Sequence, residues 1–217
     1  MARLGLLIFL PFEPKLDLGK GVVVAVTGTP GVGKTSLCDF LSQKYGYSHL
    51  EVGALASERK LYSGYDQTRE VPIADTKRIR REVGRVIRRG DFDVLLIDGH
   101  YAYELISESE VFGVFVLRLD PLRLFQRTNK LSSMRKAKEN SLSEFLGTVS
   151  TEARQRHDRV ADLDVTHLSV SQTGARIVAC LKRRTFAKTP PIEWMRTMDE
   201  KRIRRFLKIV ETQVLLG

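Results

Sequence analysis

The sequence predicts an α/β fold in three layers: a parallel sheet of five strands, helices on both of its faces, and a basic helix after them. Three observations carry that expectation. Short segments rich in Val, Ile and Leu alternate with longer helical stretches, as strands buried on both faces and joined by right-handed crossovers do. A glycine-rich turn, GTPGVGKT, stands between the first such segment and the first helix. A later apolar segment, VLLID, ends in an aspartate and so brings a carboxylate to an end of the sheet.

The strands are expected at Val22–Thr27, about His49–Val52, Val94–Asp98, Val114–Leu119 and Val165–Val170. Helices are expected near 35–45, 54–61, 76–89, 121–130, 140–158 and 173–184. Thr189-Pro190-Pro191 breaks the alternation, and 193–214 reads as a separate, basic, amphipathic helix. The expected organisation is an N-terminal arm over 1–21, a main domain over 22–185, and a basic helical extension over 186–217, with a linker near 185–191.

A chain of 217 residues, 42% hydrophobic and 29% charged, has the size and composition of one soluble globular domain. No apolar stretch approaches the length of a membrane helix. Leu4–Phe12 is apolar, but Pro11 interrupts it and EPKLDLGKG offers no small-residue cleavage site, so an arm or extra strand is expected rather than a signal peptide. Cys38 and Cys180 are too few and too scattered for a disulfide framework or a zinc site. These features together predict a cytoplasmic protein with no membrane partner. The net charge of +10 is unevenly placed. Residues 182–208 carry ten Lys/Arg against three acids (Glu193, Asp199, Glu200), and TKRIRREVGRVIRR covers 76–89. Such runs attract polyanions, chiefly nucleic acid or nucleotide, and equally suit a solvated helix face.

GTPGVGKT at 28–35 matches G-x-x-x-x-G-K-[ST] in full, after an apolar strand and before a helix, the context in which the motif has mechanical meaning. Gly28, Gly31 and Gly33 let the backbone turn so that successive N–H groups face phosphate oxygens at a helix N-terminus. Lys34 is expected to reach the β/γ-phosphates, Thr35 to offer its hydroxyl to Mg²⁺, and Ser36 to add a further phosphate donor. The expected ligand is therefore a nucleoside triphosphate with Mg²⁺. Asp98, closing VLLID, is the expected second holder of that metal. His100 is expected beside the phosphates, orienting a water or holding Asp98, with simple local packing as the alternative. His49, His157 and His167 have no such context and are expected to be structural or exposed. A Ras-like reading fails because Asn129-Lys130-Leu131-Ser132 lacks the guanine-reading aspartate.

Size, an early P-loop and a Lys/Arg-rich stretch after the fourth strand resemble nucleoside monophosphate kinases. Ordinary adenylate kinases continue their metal strand as Asp-Gly-Phe-Pro-Arg, whereas this chain reads Asp98-Gly99-His100-Tyr101-Ala102. The closer resemblance is to the adenylate kinase-like family of small ribosomal subunit maturation factors, the CINAP type of archaea and eukaryotes, over residues 22–170. It rests on GTPGVGKT, on VGALASERKLYSGYDQTREVPIAD at 52–75 with Gly64-Tyr65-Asp66, and on Asp98-x-His100. Val114–Arg118 with Asp120, Arg127, and Glu139-Asn140 with Glu144-Phe145 complete it. Two positions depart: Ser57 replaces an arginine of the acceptor segment, and Lys130-Leu131 stand where the family carries a second lid arginine. Lysine supplies charge but no bidentate fork.

The resemblance implies a three-layer P-loop NTPase fold with a nucleoside monophosphate-binding segment at about 52–75 and a lid at about 129–139. It implies Lys34, Asp98 and His100 as catalytic, and Gly31, Gly33, Lys34, Thr35, Ser36, Arg127 and Lys130 as nucleotide-binding. The function it implies is a broad-specificity nucleoside monophosphate kinase, ATP plus AMP giving two ADP, with ATPase activity and a part in small-subunit maturation beside a ribosomal protein. The alternatives are an ATP-switched assembly factor with little kinase activity and a small-molecule P-loop kinase.

Overall fold

The computed structural model describes residues 21–67 and 71–211. Most of the expected N-terminal arm, 1–20, residues 68–70 of the expected 52–75 segment, and the end of the expected helical extension, 212–217, lie outside the described residues.

The main body begins with β1 (Val22–Gly28), α1 (Lys34–Tyr45), β2 (Ser48–Glu51) and α2 (Val52–Glu58). A hairpin of β3 (Tyr62–Asp66) and β4 (Val71–Ala74) leads into α3 (Thr76–Arg89). Then come β5 (Val94–Asp98), α4 (Ala102–Leu105), β6 (Val111–Arg118), α5 (Pro121–Thr128), α6 (Met134–Leu146) and α7 (Thr148–Arg156). The chain closes with β7 (Val160–Asp164), α8 (Val170–Lys182), α9 (Trp194–Thr197) and α10 (Glu200–Glu211). The large sheet has the order β2-β5-β1-β6-β7 with parallel pairings throughout, which is the five-stranded α/β sheet expected. Its faces are covered by separate apolar layers, one centred on Ala25, Ile97 and Val114, the other on Val24, Leu96 and Phe115.

The central strands β1, β5 and β6 are buried on both faces, so their Val/Ile/Leu runs are continuous. The edge strand corrects one expectation. Val165–Val170 is not a strand; the strand is β7, reading VADLD, paired with β6 from Val114↔Val160 to Arg118↔Asp164. Its polar residue Asp162 is buried beneath Arg118, which disguises it as loop in the sequence. The apolar residues after it belong to a turn and to the start of α8, where Ser169 and Gln172 form a capping box. The helix expected over 140–158 is two helices, because Gly147 sits at φ 68 between α6 and α7.

The basic run at 76–89 is α3, which buries Ile79 and Val83 and turns its arginines outward. The segment expected as a linker is tied to the sheet edge: Thr189 Oγ1 accepts from the Asp162 N–H at 2.7 Å, and the Ile192 N–H donates to Asp162 Oδ2 at 2.9 Å. Beyond it, α9 and α10 are separated by Met198-Asp199, and Asp199 caps α10 through the Arg202 N–H. Trp194, Met198 and Phe206 pack on Leu122 and Phe145 as a third apolar cluster, with the Phe145 and Phe206 ring centres 4.8 Å apart. Burying Phe206 completely contributes roughly 2–3 kcal/mol, enough to hold a helix of three turns in place. Among the described residues no helix is long and apolar enough to cross a membrane.

Candidate active site

β1 is flanked by β5 and β6, so the loops at their C-terminal ends meet at the position where ligands bind in open α/β sheets. The loop after β1 has the geometry its glycines dictate. Gly28 stands at φ 142, and a Cβ there would lie 2.5 Å from the Leu117 carbonyl oxygen. Gly31 stands at φ 94, and a Cβ would meet the Thr128 methyl at 2.4 Å. The loop is thus pressed between β6 and α5, and a side chain is excluded at Gly28 and Gly31.

Lys34, the first residue of α1, folds back into the loop and donates from Nζ to Gly28 O at 2.9 Å and to Thr29 O at 3.2 Å. Burial pushes its pKa down to about 8, with the carboxylates of Asp98 and Glu144 opposing the shift. Thr35 is half-buried and Ser36 exposed at the same helix start. Asp98 ends β5 and is 2% exposed. Thr27 Oγ1 donates to the carbonyls of Gly99 and His100 at 3.0 and 2.9 Å, binding the loop after β5 to β1.

His49, expected to be structural or exposed, takes the contact with Asp98, while His100 stands at the phosphate loop. His49 Nε2 faces Asp98 Oδ2 at 3.2 Å, and its Nδ1 faces Asp39 Oδ1 of α1 at 3.1 Å. The hydrogen bond to Asp98 raises its pKa, against the desolvation that burial adds. His100 instead places Nδ1 3.3 Å from Gly28 O and tilts its ring over Tyr101. Burial lowers its pKa, so it is a neutral imidazole at the start of the phosphate loop. The reason lies in the sheet order: β2 lies beside β5 with Glu51 opposite Asp98, so His49, two residues back, shares a face with that aspartate. His157 is structural as expected, buried between Glu108 and the Tyr103 carbonyl.

Arg127, near the end of α5, is exposed beside the loop; a Cβ on Gly33 would lie 3.7 Å from its Nη1. It borders a pocket of about 140 Å³ lined also by Val32, Gly33, Ser36, Val165 and Leu168. The apolar wall from the turn after β7 lies outside the expected site residues, because its run of apolar residues has the look of a strand. Lys130 is exposed in the turn after α5. Cys38, His49 and Asp98 bring one ligand atom each within 4.8 Å of one another, but Thr35 and Asp98 are the oxygen donors that suit Mg²⁺. The glycine cradle, the partly buried ammonium and these oxygens fit a magnesium nucleotide.

Residues 24–147 match the family described as AAA domain. A protein of Saccharolobus islandicus carrying the name "Putative adenylate kinase" is 33% identical over 192 residues, spanning 86% of this chain and 93% of that one. The chain belongs to the P-loop family of nucleoside monophosphate kinase-like proteins. A Methanosarcina barkeri protein of the same name is 28% identical over 157 residues, covering 72% of this chain and 84% of its own. The Saccharolobus similarity covers more of the chain than the 22–170 expected for the family, so it extends into flanking sequence. Among solved structures, an uncharacterized protein from Eubacterium ventriosum shares the fold, with a TM-score of 0.51 at 10% identity over 76% of this chain and 99% of that one.

Proposed function

We propose that this protein is a nucleoside monophosphate kinase of adenylate kinase type, transferring the γ-phosphoryl group of ATP to AMP or a related monophosphate. The observation that carries the reading is Lys34, a partly buried ammonium held by the loop's own carbonyls between the ends of β1 and β5, with Asp98 beside it. Phosphoryl transfer asks for positioning and charge neutralisation more than for covalent chemistry. Lys34 exchanges its two carbonyl partners for β/γ-phosphate oxygens, and the α1 N-terminus adds backbone donors through the loop. Thr35 and Asp98 would hold Mg²⁺, which neutralises phosphate charge when bound. Ser36 and Arg127 face the nucleotide from the two sides of the pocket under Gly33, and Lys130 and the exposed bases at the start of α6 approach as the lid closes and excludes water. The hairpin β3–β4 and α2, over 52–75, take the acceptor.

His100 acts as a neutral ring. With Nδ1–H donating to Gly28 O, Nε2 keeps its lone pair and serves as a water-orienting acceptor, which supports an accompanying ATPase activity. The His100→Ala variant separates the roles: selective loss of ATP hydrolysis places His100 in water activation, and equal loss of AMP phosphorylation assigns it to loop geometry. If AMP neither accepts phosphate nor competes for the acceptor site, the monophosphate kinase reading falls and a small-molecule P-loop kinase takes its place.

A second role in small ribosomal subunit maturation, switched by ATP and exercised against a ribosomal protein and rRNA, is supported by the Asp98-Gly99-His100 resemblance. The outward basic faces of α3 and α10 support it as well. Phosphate contacts would make RNA affinity fall steeply with salt. RNA binding that ignores ionic strength, or is unaffected by replacing Arg204 and Arg205, contradicts this role.

A further inference from the structure

Glu144 lies in α6, outside the loops that form the nucleotide site, yet it is 1% exposed and every part of its carboxylate is engaged. Oε2 accepts from Thr29 Oγ1, in the phosphate loop itself, at 2.6 Å. Oε1 accepts from Arg118 Nε at 2.8 Å, from the Leu119 N–H at 3.2 Å and from the Trp194 indole N–H at 3.0 Å. Arg118 is held in turn by Asp162 Oδ2 at 2.8 Å and by the Ile192 carbonyl at 3.0 Å, and its guanidinium lies 5.8 Å from the Trp194 ring centre. One buried carboxylate thus joins the phosphate loop to the C-terminal segment that docks through Ile192, Trp194 and Phe206.

We propose that Glu144 is a positioning residue that couples the docked C-terminal segment to the phosphate loop, so that nucleotide binding and the seating of Trp194 depend on one another. The inference rests on the nucleotide-binding reading of the loop. Thr29 is the hinge of the coupling: its hydroxyl donates to Glu144 while its carbonyl accepts from Lys34 Nζ. When Lys34 turns to phosphate, the Thr29 carbonyl loses that donor, and the shift reaches Glu144 through the hydroxyl. The buried network has little freedom to absorb it, since each donor shares the same two oxygens. A partner that lifted Trp194 off would, by the same linkage, loosen Thr29 and weaken ATP binding.

Trp194 is the sole tryptophan of the chain, so its emission reports on this contact alone. ATP with Mg²⁺ should change that emission saturably in the full-length protein, with the same midpoint that calorimetry gives for binding. Thr29→Val should retain ATP binding, weakened roughly 3- to 10-fold by loss of one hydrogen bond, and lose the emission change. Trp194→Phe, which keeps the apolar packing, should weaken ATP by a similar factor, and the double variant should be no weaker than the weaker single one, because both act through Glu144. Binding seen by calorimetry with silent Trp194 emission, additive losses in the double variant, or variants that lower only the melting temperature each overturn the coupling. Absence of ATP binding in the wild-type protein overturns the nucleotide reading along with it.

Discussion

At the scale of single residues, the phosphate loop was legible because its chemistry is local: glycine, lysine and threonine in fixed spacing fold the same cradle wherever a strand precedes and a helix follows. Gly31 shows how little latitude that cradle has. Gly31→Ala puts a methyl group 2.4 Å from the Thr128 side chain at a φ of 94, so loop geometry must give way. ATP affinity, measured by calorimetry, should fall at least about tenfold, the cost of roughly 1–3 kcal/mol of backbone strain. His49 was illegible for the opposite reason. Its contact with Asp98 depends on β2 pairing with β5, a neighbour relation that no local spacing encodes. His100 stands two residues from Asp98 in sequence, and the turn after β5 carries its ring to Gly28 at the start of the phosphate loop. Arg118 sets the largest single-residue expectation for stability. Arg118→Met leaves Glu144 and Asp162 buried without their shared cation, and urea denaturation should register a loss of about 3–5 kcal/mol.

At the scale of elements, the strands with continuous Val/Ile/Leu runs declared themselves, and β7 did not. A carboxylate in the middle of VADLD argues for loop unless the arginine that will cover it is known, and Arg118 lies on a different strand. The C-terminal helices show their amphipathic character in the sequence but not their docking, for a related reason. Their apolar residues, Trp194, Met198 and Phe206, are dispersed among arginines and lysines, so charge dominates the composition although α10 buries Phe206 completely. Arg202 reinforces the docking by pairing with Asp120, the N-cap of α5, at 2.5 Å. Phe206→Ala should therefore destabilise the whole protein by about 3 kcal/mol, read as an earlier urea midpoint with an unchanged slope. An exposed, independent helix would show no change at that position.

At the scale of the whole molecule, the basic extension and the kinase fold share a buried interface in which Glu144, Arg118 and Asp162 find partners on both sides. Removing residues 186–217 would strip Arg118 and Asp162 of their Ile192 contacts and uncover Leu122 and Phe145. The truncated chain should melt at a markedly lower temperature and bind ATP more weakly; unaltered melting and ATP affinity would contradict the docked arrangement. The function of the whole molecule turns on what the phosphate loop is for. Its most direct test is ADP formation from ATP, AMP and Mg²⁺ by the wild-type protein and by Lys34→Ala. Losing one transition-state cation of this kind costs roughly 10²–10³ in rate. AMP-dependent ADP formation should be seen in the wild-type protein and should fall at least about a hundredfold in Lys34→Ala. Wild-type protein that makes no more ADP with AMP than without it, or a Lys34→Ala variant as active as wild type, would contradict the proposed function.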